Sequence, residues 1–210
     1  MTPLVYLHGF SSSPGGNKGT FARCWAEDRG IPFHAPDLNL PTFETLTLSA
    51  QVEAVEALLR SLPAPPVLIG SSLGGFIATA VAQRGAALRS LILLAPAIHF
   101  ARRRMTVPVW AAYRERGELE VFHHGAGRPL RLGPELLRDL PNWVEDETWR
   151  IPVPTVILHG RWDEAVPLAE SEAYRDRNPG TVLHVLEDDH GLLNAASLEC
   201  FRAELEAVFH

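Results

Sequence analysis

Six short apolar runs recur along the chain, separated by longer amphipathic or Ala/Leu-rich segments. No other feature limits the fold as tightly. The runs are "PLVYLHG" (3–9), "IPFHAPDL" (31–38), "PPVLIGS" (65–71), "SLILLAPA" (90–97), "PTVILHG" (154–160) and "GTVLHVLED" (180–188). Each is short and β-branched or leucine-rich, and most end in or near Gly, Pro or Asp, as strands buried on both faces do. Helical patterns fill the gaps near 17–29, 46–62, 73–85, 167–177 and 194–209. In "SAQVEAVEALLRSL", Val52, Val55, Leu58 and Leu59 fall on one stripe of a helix. Alternation over the whole length predicts an α/β fold, a mostly parallel sheet of about six or seven strands with helices on both faces. At 210 residues the chain fits one domain, 1–210.

One stretch breaks the pattern. Residues 99–149 separate two strands and are too long for a simple loop. They hold "RRRMTVPVW", a hairpin pattern in "LEVFHHGAGRPLRL" and a short helical pattern in "GPELLRDLPNW". The expectation is an insertion packed over one end of the sheet as a cap or lid. Within it, Met105, Val107, Trp110 and Tyr113 offer apolar cap surface, with packing of the cap on its own domain as the competing reading.

The run "PPVLIGSSLGGF" places two serines between a buried strand and three glycines. Gly70, Ser72 and Gly74 fill the template G-x-S-x-G, whereas centring it on Ser71 would require glycine at Ile69 and Leu73. A nucleophile on a sharp strand-to-helix turn needs small neighbours two residues either side, because its backbone is strained and its surroundings crowded. Alone the motif is weak, arising by chance in roughly one chain in fifteen of this length. Its setting between an apolar strand and the helical "LGGFIATAVAQRG" strengthens it. A phosphate loop fails, since Phe76 and Ile77 stand where Lys and Ser/Thr are required.

A serine hydroxyl needs a base, and the base an orienting acid. In this architecture the order runs Ser, acid, His, each just beyond a strand. "VILHGRWDEAVP" supplies Asp163 and "VLHVLEDDHGLL" supplies His190, both at strand carboxyl ends, where open α/β sheets place their sites. Glu164, Asp188 and Asp189 are rivals for the acid. Charge developing on a substrate oxygen calls for two preorganised donors. The Leu73 N–H at the helix start is one; the Phe10 N–H, in the loop "LHGFSSSPGG", is the other, with the Phe10 side chain as a wall of the acyl pocket. Asp37 reads as a turn former. His34, His99 and His184 read as structural, and His123 and His124 as cap surface rather than metal ligands.

Composition narrows the partners. A net charge of −6 argues against nucleic acid. No apolar run approaches the roughly 18 residues of a membrane span. The start "MTPLVYLHGF" reads as a first strand, not a signal peptide, and two distant cysteines, Cys24 and Cys200, point to a reducing, cytoplasmic compartment. Basic residues are nearly all arginine; Lys18 is the only lysine. The run Arg102–Arg104 reads as a solvated charge run, with attraction of an anionic group as the alternative.

"YLHGFSSSPGG", "IGSSLGG", "GRWDEAVP" and "DDHG" together resemble the α/β-hydrolase superfamily, in particular its small YqiA-type esterases, over essentially the full chain. The resemblance implies an α/β-hydrolase fold and cleavage of carboxylic esters through an acyl-enzyme, without cofactor or metal. It gives Ser72, Asp163 and His190 the triad roles and Phe10 and Leu73 the oxyanion roles. The expected partner is a small-molecule ester or acyl substrate, touched by Phe10, Trp110 and Tyr113. A thioesterase or small peptidase uses the same machinery, and a binding protein that keeps the fold without turnover is the reading from another class. The cap sequence "RRRMTVPVWAAYRERGELEVFHH" matches no pattern of that family.

Overall fold

A buried parallel strand must be apolar on both sides, and alternate residues of each run pack into two separate cores. The computed structural model describes residues 1–106, 110–144 and 150–209. The main sheet comprises β1 (Leu4–Leu7), β2 (Phe33–His34), β3 (Val67–Ser71), β4 (Ser90–Leu94), β7 (Thr155–Gly160) and β8 (Val182–Leu186). Val5, Leu7, Leu68, Leu91, Leu93 and Ile157 face one core. Their neighbours Leu4, Tyr6, Val67, Ile69, Ile92, Leu94 and Leu158 face the other. The first core packs against helices α2 (Leu48–Ser61) and α3 (Leu73–Gln83), the second against α1 (Asn17–Glu27) and α8 (Ala195–Phe209). Helix α7 (Leu168–Arg177) contributes Tyr174 to the first.

All neighbouring strands in this six-stranded sheet pair in parallel, in the order β2-β1-β3-β4-β7-β8. The chain leaves β1 in one direction to form β2, then returns to the other side of β1 and builds outward. The order therefore reverses between β1 and β3. In open α/β sheets that crevice, at the strand carboxyl ends, is where ligands bind. The loops after β1 and β3 are the ones that carry Phe10 and Ser72. Observed boundaries fall within the sequence-derived runs, with "IPFHAPDL" contracting to a two-residue edge strand.

The segment expected as a cap carries α4 (Phe100–Thr106), α5 (Ala111–Arg116), an antiparallel hairpin of β5 (Leu119–His123) and β6 (Arg128–Leu132), α6 (Glu135–Asp139) and a 3-10 turn (Leu140–Trp143). Phe100, Trp110, Tyr113, Leu132, Leu136 and Leu140 bury into the first core, so this segment shares the sheet's apolar interior. Val107 and the Met105 side chain lie outside the described residues. Arg103 is tied down by the Ala165 carbonyl at 2.8 Å and Glu170 at 3.3 Å. Among the described residues no helix is long and apolar enough to cross a membrane.

One polar knot fastens the segment to the body. The buried Asp139 carboxylate accepts from the Ser49 N–H at 2.9 Å and the Ser49 hydroxyl at 2.5 Å, and the Trp143 indole N–H donates to that same hydroxyl at 2.8 Å. Ser49 stands in the first turn of α2, where free N–H groups favour an acceptor. Asp139→Ala leaves those part-buried donors unmatched and lowers unfolding free energy by about 1–3 kcal/mol. Urea unfolding checks this; a change below about 0.5 kcal/mol would remove the knot from the account.

Candidate active site

The two adjacent serines differ in burial and in backbone geometry. Ser71 ends β3 and is buried. Ser72 follows at φ 53°, ψ −117°, a left-handed φ that a side chain other than glycine rarely adopts. The strain is held by backbone bonds on both sides. The Ser72 N–H donates to the Leu94 carbonyl at 3.0 Å, and its own carbonyl accepts from Gly75, Phe76 and Ala97. A Cβ on Gly70 would meet the Gly74 carbonyl at 2.5 Å, and one on Gly74 would meet the Leu7 carbonyl at 2.1 Å. Both flanking glycines of the motif are thus required by crowding. A Cβ on Gly9, after β1, would meet the Ser72 Cβ at 3.2 Å.

Asp163 lies in the turn after β7. Its Oδ1 accepts from the Ala165 N–H at 2.9 Å and the Val166 N–H at 2.7 Å, which shapes the turn before α7. Its Oδ2 accepts from His190 Nδ1 at 2.7 Å. The carboxylate therefore serves as turn former and imidazole partner at once. Behind it, His159 is fully buried with Nε2 3.3 Å from Oδ2 and 3.0 Å from the Val166 carbonyl. Its Nδ1 accepts from the Ser171 hydroxyl at 2.7 Å, so the proton sits on Nε2. Burial alone would raise the Asp163 carboxyl. Hydrogen bonds from His159, His190 and Val166 outweigh burial and hold it well below the ordinary carboxylate range.

His190 follows β8 in a loop pinned from several sides. Asp188 accepts from the Ser197 hydroxyl and the Asn194 N–H, which ties the loop to the start of α8. A Cβ on Gly160 would meet the Asp189 carbonyl at 2.4 Å, so the last residue of β7 is glycine to let this loop lie close. With Nδ1 donating to Asp163, Nε2 is the basic nitrogen. The other acids make different bonds: Asp188 with Asp189, Asn194 and Ser197, and Asp189 with Gly191, and among the described residues no hydrogen bond links Glu164 to His190.

Ser72 and His190 line one cavity of about 690 Å³, together with Gly9, Phe10, Lys18 and Leu193. That volume suits a small ligand. Leu73 opens α3, where the first N–H groups have no partner within the helix. The Phe10 ring packs on Phe43, Phe100 and Trp110 at 5.7–6.3 Å between centroids.

Two expected substrate contacts go elsewhere. Trp110 and Tyr113 are buried and absent from the cavity wall; the Tyr113 hydroxyl donates to the Gly133 carbonyl instead. Both residues build the segment's interior because their ring area is worth more against Phe10 and the core than in solvent. His123 is likewise not cap surface. It is buried, accepts from the Ala126 N–H at Nδ1, and donates from Nε2 to the Asn39 side-chain oxygen at 3.2 Å. Asn39 in turn donates to the Ser12 carbonyl and to Asp37. The His124 N–H donates to the Ser11 carbonyl at 2.8 Å, so the hairpin tip rests on the loop that holds Phe10. Asp37 is the expected turn former, accepting from the Asn39 N–H. No sequence pattern marks Asn39, His159 or Gly160 as neighbours of the site. A lone lysine in a chain of arginines was the one signal available.

This sheet order, with its serine turn after β3, a carboxylate in the turn after β7 and an imidazole in the loop after β8, is that of the α/β-hydrolase fold. The chain belongs to the uncharacterised protein family UPF0227, whose profile it matches over residues 3–198. No curated protein matches its sequence. Among solved structures it is similar to alpha/beta hydrolase domain-containing protein 10 from mouse, with TM-score 0.82, 21% identity, and coverage of 100% of this chain and 90% of that one. It is also similar to the Paleococcus ferrophilus monoacylglycerol lipase, with TM-score 0.75, 16% identity, and coverage of 99% and 95%. Est1E from Butyrivibrio proteoclasticus gives TM-score 0.73 at 20% identity, with coverage of 99% and 88%.

The crowding at the serine turn is testable on folding alone. Gly74→Ala drives a methyl against the Leu7 and His8 carbonyls, which cannot retreat without moving β1. Stability falls by more than about 2 kcal/mol. Thermal and urea unfolding read this, and a variant within about 0.5 kcal/mol of wild type would show that the contact is soft.

Proposed function

We propose that the protein is a serine hydrolase that cleaves carboxylic esters through an acyl-enzyme. The observation that carries this reading is the 2.7 Å bond from His190 Nδ1 to Asp163, beside a cavity shared by His190 and the strained Ser72. Ser72 Oγ attacks the ester carbonyl carbon while His190 Nε2 takes its proton. Asp163 keeps the ring in the tautomer that leaves Nε2 free and supports the imidazolium that forms. The Phe10 and Leu73 N–H groups meet the oxyanion, with the α3 dipole adding to the second. Collapse breaks the bond to the alcohol oxygen, which leaves with the proton from His190. Water then attacks the acyl-enzyme, giving up a proton to His190, and releases the acid and the free serine. Residues 99–149 act as a cap whose hairpin tip borders the cavity through His124 and Gly125.

The hydrolase names of the structural neighbours support the reaction class, and the resemblance to YqiA-type esterases, with a lipase among those neighbours, favours esters over the thioesters and peptides that the same machinery also cleaves. Ser72→Ala reduces hydrolysis of p-nitrophenyl acetate by roughly 10⁴-fold or more. A fluorophosphonate probe labels Ser72 and no other residue, as read by peptide mass spectrometry. Failure to label, with folding intact, would favour a non-catalytic binding protein. Labelling with ester turnover absent but acyl-thioester or peptide turnover present would move the reaction to those substrates.

A further inference from the structure

Lys18 is the chain's only lysine, and it stands in the wall of the cavity that holds Ser72 and His190. Its position is unfavourable for a cation in three ways. Packing strips water from the ammonium and lowers its pKa from 10.5 to about 8. It occupies the first turn of the 11-residue helix α1, where the dipole disfavours positive charge. Among the described residues no carboxylate oxygen lies within 4.0 Å of it. Its one direct partner is the His190 carbonyl at 3.2 Å. An ammonium has three donors, so two remain. Cations stripped of water are ordinarily paired at contact distance, and the lack of such a pair among the described residues, despite carboxylates farther off, points to a ligand.

The neighbouring acids do not fill that role. Asp163 is engaged by His190, Val166 and Ala165. Asp188 is engaged by Ser197 and Asn194, and Asp189 by Gly191. All three still favour the charged ammonium at longer range. Their combined field opposes any anion, and a doubly charged phosphate about twice as strongly as a carboxylate, so a single negative charge is the better match for one ammonium. Place in the reaction follows from His190. As general acid it must reach the departing oxygen, so the alcohol portion extends along the His190 loop, to which Lys18 is bonded.

We propose that Lys18 recognises a carboxylate on the alcohol portion of the ester that Ser72 cleaves. The assignment rests on the hydrolase reading above and names its substrate class. Ser12 and Ser13, in the same wall, add hydroxyl donors. Phe10 and Leu193 supply the apolar side.

The test compares acetate esters of meta-(hydroxymethyl)benzoate and of the matching benzamide, which differ in one remote charge. Wild type favours the carboxylate ester by about tenfold or more in kcat/KM, mainly through KM. The ratio collapses towards one in Lys18→Met and is retained in Lys18→Arg. It also fades as pH rises through about 8, because a base loses its charge above its pKa. The other ionisable groups around the cavity are Asp163, Asp188, Asp189, His190, His124 and Tyr6; the benzamide ester measured in parallel carries their effects on the chemical step, and Lys18→Met measured over the same pH range carries their direct effect on the substrate's charge. A ratio near one in wild type overturns the proposal. A preference for p-nitrophenyl hemisuccinate over p-nitrophenyl butyrate without one in the benzyl pair moves the anion to the acyl side and equally overturns it. Fluorophosphonate labelling of Ser72 separates the two readings. Labelled protein without charge preference defeats only the carboxylate assignment, whereas unlabelled, folded protein defeats the hydrolase. If Lys18→Met fails to fold, the wild-type ratio, its pH dependence and Lys18→Arg decide the matter.

Discussion

The left-handed backbone at Ser72 is the constraint on which the rest of the structure depends. It costs on the order of 1–3 kcal/mol and persists only where surroundings leave no alternative. Here those surroundings are three elements meeting at one point. β4 accepts the Ser72 N–H through Leu94, and α3 returns N–H groups to its carbonyl. The Leu7 carbonyl of β1 lies against Gly74. Each contact requires its strand at the observed register, and the register is set by the two-sided apolar pattern that buries β1, β3 and β4. The core therefore fixes the turn, and the turn aims the hydroxyl.

The same dependence explains what the sequence reveals. Strand and helix positions are legible because burial on both faces demands unbroken apolar runs. Ser72, Asp163 and His190 are legible because each stands just past such a run, in a turn with its own local chemistry. The sheet order is not written in any one segment, but the alternation leaves few parallel arrangements. The interior of residues 99–149 was beyond reach. Trp110 and Tyr113 read equally well as substrate wall or core, and only long-range packing on Phe10 and Gly133 decides for core. His123 shows the same limit, since its partner Asn39 lies 84 positions away and no spacing rule connects them.

Charge ties the site together more than any single contact. Asp163 is held as a carboxylate by donors on three sides, with buried His159 behind it and His190 in front. A half-buried imidazole facing such a carboxylate keeps one tautomer without needing to be charged itself. The arrangement also makes the pocket negative, through Asp163, Asp188 and Asp189, with Lys18 alone in opposition.

That imbalance bears on why a lysine survives at position 18. For fastening the His190 loop, any long donor would serve, and an uncharged one would avoid both desolvation and the helix dipole. For solubility, an exposed face of α1 would serve better. At longer range the charge offsets Asp163, Asp188 and Asp189; at contact distance an anion that arrives and leaves would use it further. A reaction that releases an alcohol past His190 supplies such a visitor: a carboxylate held while the acyl group transfers, then let go with the product. An ammonium poised near neutral pH suits that exchange better than a guanidinium, whose planar fork grips a carboxylate at two points and releases it more slowly.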